Sequence, residues 1–166
     1  VQFVGTPFTF GLRQLGANCG LIAQHAAVEI NGRSYWMSDN SFYMYDGVVK
    51  KMPCSVQDYV FDDLSYTNRN DIACGINTAF NEIIWYYPSA NATAIDRGVA
   101  YNYLENTWYT VNIGRTTWLG AYVFENPIAT EYDSSITANA STILGLTAGA
   151  SYIYEHESGN NQADGT

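Results

Sequence analysis

The sequence of 166 residues has few cations, few cysteines and no long apolar run. Seven Lys+Arg stand against 16 Asp+Glu, which gives a formal net charge of −9. A protein that grips nucleic acid irrespective of its sequence needs clustered cations to displace counterions, so this balance speaks against that class. No apolar run approaches the roughly 20 residues that a membrane-spanning helix needs, and we therefore expect no membrane span.

The three cysteines, Cys19, Cys54 and Cys74, lie far apart in the chain. Because no C-x-x-C pair exists, a thiolate zinc site or a redox motif is not expected. We interpret all three as reduced, buried, small apolar side chains, which fits synthesis in the cytoplasm. The N-terminus lacks the basic and then apolar pattern of a signal peptide. We therefore expect that the protein is not secreted by that route, or that its true N-terminus is missing.

Aromatic residues, in contrast, make up 15% of the chain. Many lie in the stretch "NGRSYWMSDNSFYMYDG", residues 31–47. Asn31-Gly32 is a strong hairpin signal because both central positions of a type I′ turn need positive φ, and Asp46-Gly47 marks another corner. The runs "AAVEI", "RSYWM", "SFYMY" and "VVKKM" therefore predict a four-stranded antiparallel meander, with large side chains covering both faces of the sheet.

A helical pattern follows the first meander. Apolar residues fall at helical spacing from Val56 to Leu64. Ser55, with Asp58 three positions on, resembles a capping box. We therefore predict one short helix over residues 56–64, which the polar run "SYTNRND" ends.

The meander pattern then returns twice. The runs "IACGINTAF", "EIIWYY", "RGVAYNY" and "TWYTVNI" predict four more strands, with Asn81 at the first corner. A third, weaker set consists of "TWLGAYVF", "PIATEY" and "SYIYEHE". Between the last two of these runs, residues 134–150 are mostly small, and we predict a loop insertion there.

Repeated antiparallel sheets of about 40 residues are typical of β-propeller blades. We predict an all-β fold whose meander sheets resemble such blades, at about residues 26–53, 72–113 and 117–157. They would form a partial propeller-like domain over residues 21–166, after an entry segment or linker over residues 1–20. Two or three blades cannot close a ring that typically needs about four to eight. We therefore expect that the chain is part of a longer polypeptide, or that another chain completes it.

The predicted core consists of apolar side chains at the inward positions of these elements. They are Val28, Ile30, Tyr35, Met37, Phe42, Met44, Val60, Ile83, Trp85, Val99, Tyr101, Trp108 and Val123.

No motif indicates catalysis, and we predict neither a cofactor nor a metal. In the run "EHE", a strand would place Glu155 and Glu157 on one face and His156 on the other, so it could not direct all three at one metal ion. A buried or hydrogen-bonded structural histidine is the plainer interpretation. His25 is isolated, and no recognisable nucleophile motif surrounds it.

Two other classes of function stay open. In a carbohydrate-binding module, lectin-like or receptor-binding, exposed rings such as Trp108 and Trp118 would stack on sugars. A glycan-cleaving enzyme would need two facing carboxylates. Aspartates are plentiful near the first hairpins and the helix, although aspartates that form turns are far commoner than catalytic ones.

Two arginines could make contacts between sheets or between protomers. Arg97 and Arg115 could pair with carboxylates of another blade or of another protomer. A surface ion pair of little energy is the more ordinary interpretation of both.

Several segments, in this order, resemble a known family. "CGLIAQHAAVEINGRSYWMSDNSFYMYDGVVKKMPCSVQDYVF" is followed by "FNEIIWYYPSAN", "YNYLENTWY", "GRTTW" and "YIYEHESG". From Cys19 to Gly159 they resemble structural tail proteins of tailed bacteriophages, most of all the large propeller-containing tail hub or nozzle protein of short-tailed phages. The motifs are a W-x-S-D/N…F-Y-x-Y-D-G hairpin, a W-x-Y-P corner and an E-N-x-W turn. Residues 134–150 depart from the pattern, which has a tighter connection there.

The resemblance implies a non-enzymatic virion component that is synthesised in the host cytoplasm. Such proteins are much longer than this chain, assemble as six-fold rings below the portal and adaptor, extend the DNA channel and present surfaces for fibres or spikes. The implied partners are therefore copies of the chain, neighbouring tail and adaptor proteins, and passing DNA that is not specifically bound. Since an acidic wall repels phosphate, we hypothesise that carboxylates face the channel.

Overall fold

The computed structural model describes residues 2–7, 9–121, 124–133 and 150–157. They form three antiparallel meander sheets, a two-stranded ribbon, one α-helix and one 3₁₀ helix. The expected all-β fold of antiparallel meander sheets is confirmed. Within these ranges, no helix is long and apolar enough to cross a membrane. The division into an entry segment and a propeller-like domain stays a prediction.

The strands follow one another in chain order, and each pairs with the next within its sheet. The ribbon consists of β1 (Gln2–Phe3) and β2 (Phe10–Gly11). The first sheet consists of β3 (Ala27–Ile30), β4 (Arg33–Met37), β5 (Phe42–Tyr45) and β6 (Val49–Met52). The second consists of β7 (Ala73–Asn77), β8 (Glu82–Tyr87), β9 (Arg97–Asn102) and β10 (Thr107–Val111). The third consists of β11 (Thr117–Leu119), β12 (Ile128–Asp133) and β13 (Ala150–Glu155).

The hairpins turn where the sequence predicts. Asn31 and Gly32 have φ values of 53° and 74°, the two positive angles that a type I′ turn needs. Asn81, with φ of 60°, forms the corner between β7 and β8, and Asn106, with φ of 56°, ends the turn before β10. Asparagine adopts this left-handed conformation more readily than most residues because its short polar side chain bonds locally.

The predicted helix is present, but it starts differently from the prediction. Helix α1 covers Gln57–Asp63, and Val56 is its N-cap residue, without a side-chain cap hydrogen bond. The expected Ser55 cap is therefore wrong. The N–H of Gln57 bonds instead to the carbonyl of Cys54 at 3.4 Å, so the backbone itself closes the turn before the helix.

Three further segments differ from the prediction in detail. The polar run after α1 forms a 3₁₀ helix over Tyr66–Asp71, and the sequence has no apolar periodicity that would predict it. The strand expected from "TWLGAYVF" ends at Leu119, since Gly120 follows and offers no side chain to pack in a strand. Ala150, expected in the loop insertion, begins β13. The rest of that insertion lies outside the described residues.

The three sheets stack face to face in chain order, with α1 covering one side of the first interface. The apolar cluster between the first and second sheets includes Val60 of α1. A smaller cluster lies on the opposite face of the second sheet and includes Trp118 of β11. The first strands of the sheets lie side by side, because His25 forms a parallel bridge with Ala73 and β11 contacts β7. Consecutive propeller blades have this arrangement.

Most of the predicted core is confirmed. The predicted residues that are buried are Tyr35, Met37, Phe42, Val60, Ile83, Trp85, Val99 and Tyr101. Those that pack against the cluster but are only partly buried are Val28, Ile30, Met44 and Trp108. Val123 lies outside the described residues.

Candidate functional site at the junction of the second and third sheets

The segment that connects β10 to β11 carries an arginine into the junction between the second and third sheets. Gly114 lies against the backbone of Ile95, where any side chain would overlap the Ile95 carbonyl. Only glycine permits this close approach. The next residue, Arg115, is only 7% exposed. The expectation of a surface ion pair is therefore wrong for Arg115.

Four groups fix the guanidinium of Arg115. Its Nη1 donates to Glu131 Oε2 at 2.8 Å and to the Gly114 carbonyl at 2.7 Å. Its Nε donates to His156 Nε2 at 2.9 Å, and its Cζ lies 4.3 Å from the ring centroid of Tyr154. Three of these groups belong to β12 and to the end of β13. Arg115 thus ties the connecting segment to two strands of the third sheet, and Glu131 compensates its buried charge.

The imidazole of His156 is a neutral acceptor in this arrangement. Its ring centroid lies 4.7 Å from that of Trp118, and its backbone N–H donates to the Pro127 carbonyl at 2.8 Å. Because Nε2 accepts the bond from Arg115, we assign the ring proton to Nδ1. Burial, and then the positive charge of Arg115, lower the pKa of His156 below its ordinary value. The hydrogen-bonded structural histidine expected from the sequence is what the structure contains.

The carboxylates on either side of His156 bind separate partners. Glu155 Oε1 accepts from Asn126 Nδ2 at 2.8 Å, and Glu157 Oε1 accepts from Asn77 Nδ2 at 3.0 Å. The second of these bonds is a further polar tie between the second and third sheets. In the part of the chain that the structure describes, no group of three or more His, Cys, Asp or Glu could hold a metal ion.

Two clefts open beside this cluster. The larger, of about 720 Å³, is lined by residues 91–96, residues 112–115, Glu131, Tyr132 and Tyr154. The smaller, of about 440 Å³, is lined by His25, Asn70, Asp71, residues 93–95, Thr116 and Tyr132. The guanidinium of Arg115 is already paired with Glu131 where it lines the larger cleft. The cluster is therefore better suited to joining two sheets than to binding an incoming anion.

The tryptophans expected to stack on glycans lie at sheet interfaces. Trp108 is partly buried and stacks on Trp85 with 6.0 Å between centroids, while its outer edge lines a shallow cleft of about 510 Å³. Trp118 is also partly buried, stacks on Tyr86 at 5.9 Å, and would overlap any side chain placed at Gly75. The glycan-stacking role of Trp108 and Trp118 stays a prediction.

Every tryptophan of the chain donates its indole N–H to a backbone carbonyl that lies earlier in the sequence. The bonds, of 2.8 to 3.0 Å, run from Trp36 to Cys19, from Trp85 to Ala26, from Trp108 to Pro53 and from Trp118 to Ile76. Each bond fastens a sheet to the layer before it. Sequence reasoning missed this set, because a backbone carbonyl carries no residue-type signal.

Two of the aspartates near the first hairpins are held in separate ion pairs. Asp46 pairs with Lys50 at 2.7 Å, and this hydrogen bond lowers the pKa of Asp46. Asp39 pairs with Arg69 at 3.1 Å on the exposed surface. Such pairs join neighbouring segments and bring no two of these carboxylates across a common cleft.

The second of the two arginines singled out in the sequence, Arg97, joins α1 to the second sheet. Its Nε lies 3.2 Å from Asp63 Oδ2 in an ion pair without a hydrogen bond. Its Nη1 donates to Tyr59 Oη at 3.0 Å and to Asn112 Oδ1 at 3.2 Å. Both members of the ion pair are about a third exposed, at 32% and 29%, so this pair is closer to the expected surface pair than Arg115 is.

The cysteines are free, as expected, and all three are partly buried. Burial raises the pKa of Cys54 to about 11 and raises that of Cys74 well above its ordinary value. A thiol with a raised pKa is a poor nucleophile at neutral pH, because the thiolate is the reactive form. Cys54 and Cys74 therefore act as small apolar side chains.

Neither protein-family models nor curated protein sequences give a match to this chain.

Proposed function

We propose that the chain is a non-enzymatic structural protein of a phage tail, of the hub or nozzle type. The observation that carries the proposal is the use of its tryptophans. Each indole N–H is bonded to the backbone of the preceding layer, so these large rings fasten one sheet to another. A lectin would instead keep several aromatic faces open in a pocket for sugar rings.

The two ends of the stack also support a role in assembly. The rear face of the first sheet is covered by the chain itself, since Trp36 donates to the carbonyl of Cys19 and Tyr43 Oη donates to that of Asn18. The front face of the third sheet, turned away from the second, has large apolar side chains open to solvent, with Leu119 45% and Ile153 75% exposed. A further layer on that face would bury them.

The phage identity rests on the sequence resemblance and on the blade-like stacking together. In this proposal copies of the chain form a ring, six-fold by the resemblance, in the virion. The ring contacts adaptor and tail proteins and presents surfaces for fibres or spikes. DNA passes through it without specific binding.

The strands that would line a channel carry few carboxylates. In a propeller the first strands of the blades lie nearest the axis, and here these would be β3, β7 and β11. Glu29 is the only carboxylate in those three strands. An acidic lining would therefore have to come mainly from segments between the strands, such as the 3₁₀ helix that ends at Asp71.

The decisive experiment is mass measurement on the native material, intact and denatured. We expect a ring-sized or virion-sized particle, and a denatured subunit that carries this sequence within it. A free monomer of 18.4 kDa would contradict the proposal. Glycan-array binding and glycan cleavage assays on the same material would then distinguish the two remaining classes.

A further inference from the structure

Two apolar surfaces of the chain are open to solvent. The first, which we name the N-terminal arm, is residues 2–15. It contains the ribbon, and its Phe3, Phe10 and Leu12 are 69%, 66% and 89% exposed. Phe3 and Phe10 pack edge to face on each other, with 6.1 Å between their centroids. The second surface is the front face of the third sheet.

The front face is defined by the register of the third sheet. Trp118, Ala129 and Tyr154 are cross-strand partners, and Trp118 contacts the second sheet, so this row faces inward. Alternate residues on each strand face the other way. The outward residues are Thr117, Leu119, Ile128, Thr130, Tyr132, Ser151, Ile153 and Glu155. Leu119, Ile128 and Ile153 make this surface apolar, with hydroxyl groups and the carboxylate of Glu155 among them.

The arm and the front face belong to opposite ends of the stack. The arm leads into residues 16–19, which cover the rear of the first sheet. The front face belongs to the third sheet, and the whole second sheet lies between these two ends. A contact between different copies would therefore join the rear of one stack to the front of the next.

The charges of the two ends are complementary. Residues 2–28 contain no Asp or Glu, and Arg13 is their only Lys or Arg. Residues 116–166 contain no Lys or Arg, and their carboxylates include Glu155 on the front face. In a chain of net charge −9, the arm is thus a segment that an acidic copy of the same chain does not repel.

We propose that the front face of the third sheet receives the N-terminal arm of a second copy of this chain. Phe3, Phe10 and Leu12 of one copy pack on Leu119 and Ile153 of the next. The contact is head to tail, so it closes into a ring if the rotation between copies closes and otherwise continues as a filament. We expect this contact in any assembly of the chain, whether or not that assembly is a phage tail.

The test uses two variants that each remove one half of the contact. Phe10→Asp places a charge in the arm, and Ile153→Asp places one on the front face. Both positions are mostly exposed, so each variant should fold, with a circular dichroism spectrum and melting temperature close to those of the parent chain. Sedimentation velocity over a concentration series should show oligomers for the parent chain. For each variant alone it should show at least a tenfold rise in the apparent dissociation constant.

Mixing the two variants gives the sharper readout. The intact face of Phe10→Asp can receive the intact arm of Ile153→Asp, and the resulting pair can add no third copy through the damaged halves. An equimolar mixture should therefore give dimers and nothing larger. Leu104→Asp, at a 66% exposed position in the turn between β9 and β10, is the matched control and should oligomerise like the parent chain.

Three results would overturn the proposal. The first is a parent chain that stays monomeric at every concentration, and the second is variants that still oligomerise. The third is monomeric variants whose mixture forms no dimer, because an intact arm and an intact front face would then be present together without binding each other. A native particle of ring size combined with any of these three results would mean that the ring forms through other contacts, so this inference can fail while the proposed function stands.

Discussion

The two interfaces of the stack differ in what they bury, since the first is aromatic and the second combines a small apolar cluster with a group of polar side chains. Between the first and second sheets, the ring centroid of Phe42 lies 5.0 Å from that of Trp85 and 4.7 Å from that of Trp108. The ring centroids of Tyr101 and Trp108 are 4.6 Å apart. Burial of apolar rings is non-directional, so this interface depends on total area more than on any one contact.

The interface between the second and third sheets has a small apolar cluster with polar groups beside it. Ile84 and Tyr86 are among its larger buried members. Arg115, Glu131 and His156 complete the junction through directional hydrogen bonds. The difference suggests that the first two sheets form the stable unit and that the third is held by a few specific contacts. Four predictions test this, from the largest effect to the smallest.

Replacing Trp85 with alanine should have the largest effect. Its side chain is fully buried and donates to the Ala26 carbonyl, so the change leaves a cavity and an unpaired acceptor. We expect a loss of about 3–5 kcal/mol in the free energy of unfolding, measured by urea denaturation with circular dichroism. Leu104→Ala, at an exposed turn, should change this free energy by less than about 0.5 kcal/mol. Similar losses in both would contradict an aromatic cluster as the main source of stability.

Gly75→Val should detach the third sheet while leaving the first interface in place. A side chain at Gly75 would overlap the Trp118 ring, and overpacking of this kind costs about 1–3 kcal/mol. Hydrogen exchange should show faster exchange in β12 and unchanged protection in β8. Gly20→Val, where the added Cβ meets no atom within 4 Å, is the matched control. Loss of protection in β8 would mean that the two interfaces are a single cooperative unit.

Arg115→Met should weaken the same junction by removing its polar ties. The change leaves Glu131 and His156 without their partner, and we expect a loss of about 1–2 kcal/mol in urea denaturation. Glu131 is one third exposed, so water limits the cost. Arg69→Met removes a similar pair at the exposed surface and should cost less than about 1 kcal/mol. Equal losses in the two variants would mean that the burial of Arg115 does not increase the contribution of its ion pair to stability.

The sheets could be predicted from the sequence because their signals are local. Asn31-Gly32 defines a hairpin within four residues, and the alternation around it places Tyr35 and Met37 on the buried face. After Glu82, the segment "EIIWYY" is an unbroken run of apolar and aromatic residues, as expected for a strand covered on both faces. These features depend on neighbouring residues, so one sequence was enough to identify them.

The polar junction could not be predicted, because it depends on residues far apart in the chain. Arg115 and His156 are 41 positions apart, and no periodicity connects them. The only local signal was Gly114, a glycine directly before an arginine. The reason for this glycine is its close approach to the Ile95 backbone, which only the folded structure reveals. The tryptophan bonds were missed for the same reason, since their acceptors are backbone atoms.

The smallest predicted effect is a pH dependence of the second interface. The pKa of His156 is lowered from 6.5 in the folded chain, mainly by burial and then by Arg115, while Glu157 opposes this shift. Between its lowered pKa and 6.5, the unfolded chain therefore binds a proton that the folded chain does not. Stability should fall as the pH drops below 6.5, and this loss is complete below the folded pKa. Urea denaturation at pH values from 5.5 to 7.5 should show this slope.

The variant His156→Gln should flatten that slope, because glutamine can accept the Arg115 bond without titrating. His25→Gln is the matched control, since His25 lies at the bridge between the first and second sheets. Hydrogen exchange in β12 would show whether the third sheet opens first as the pH falls. A slope that survives His156→Gln and disappears in His25→Gln would place the pH-sensitive contact at the first interface. The stability of the aromatic interface would then depend on pH, and the order of stability inferred for the two interfaces would be reversed.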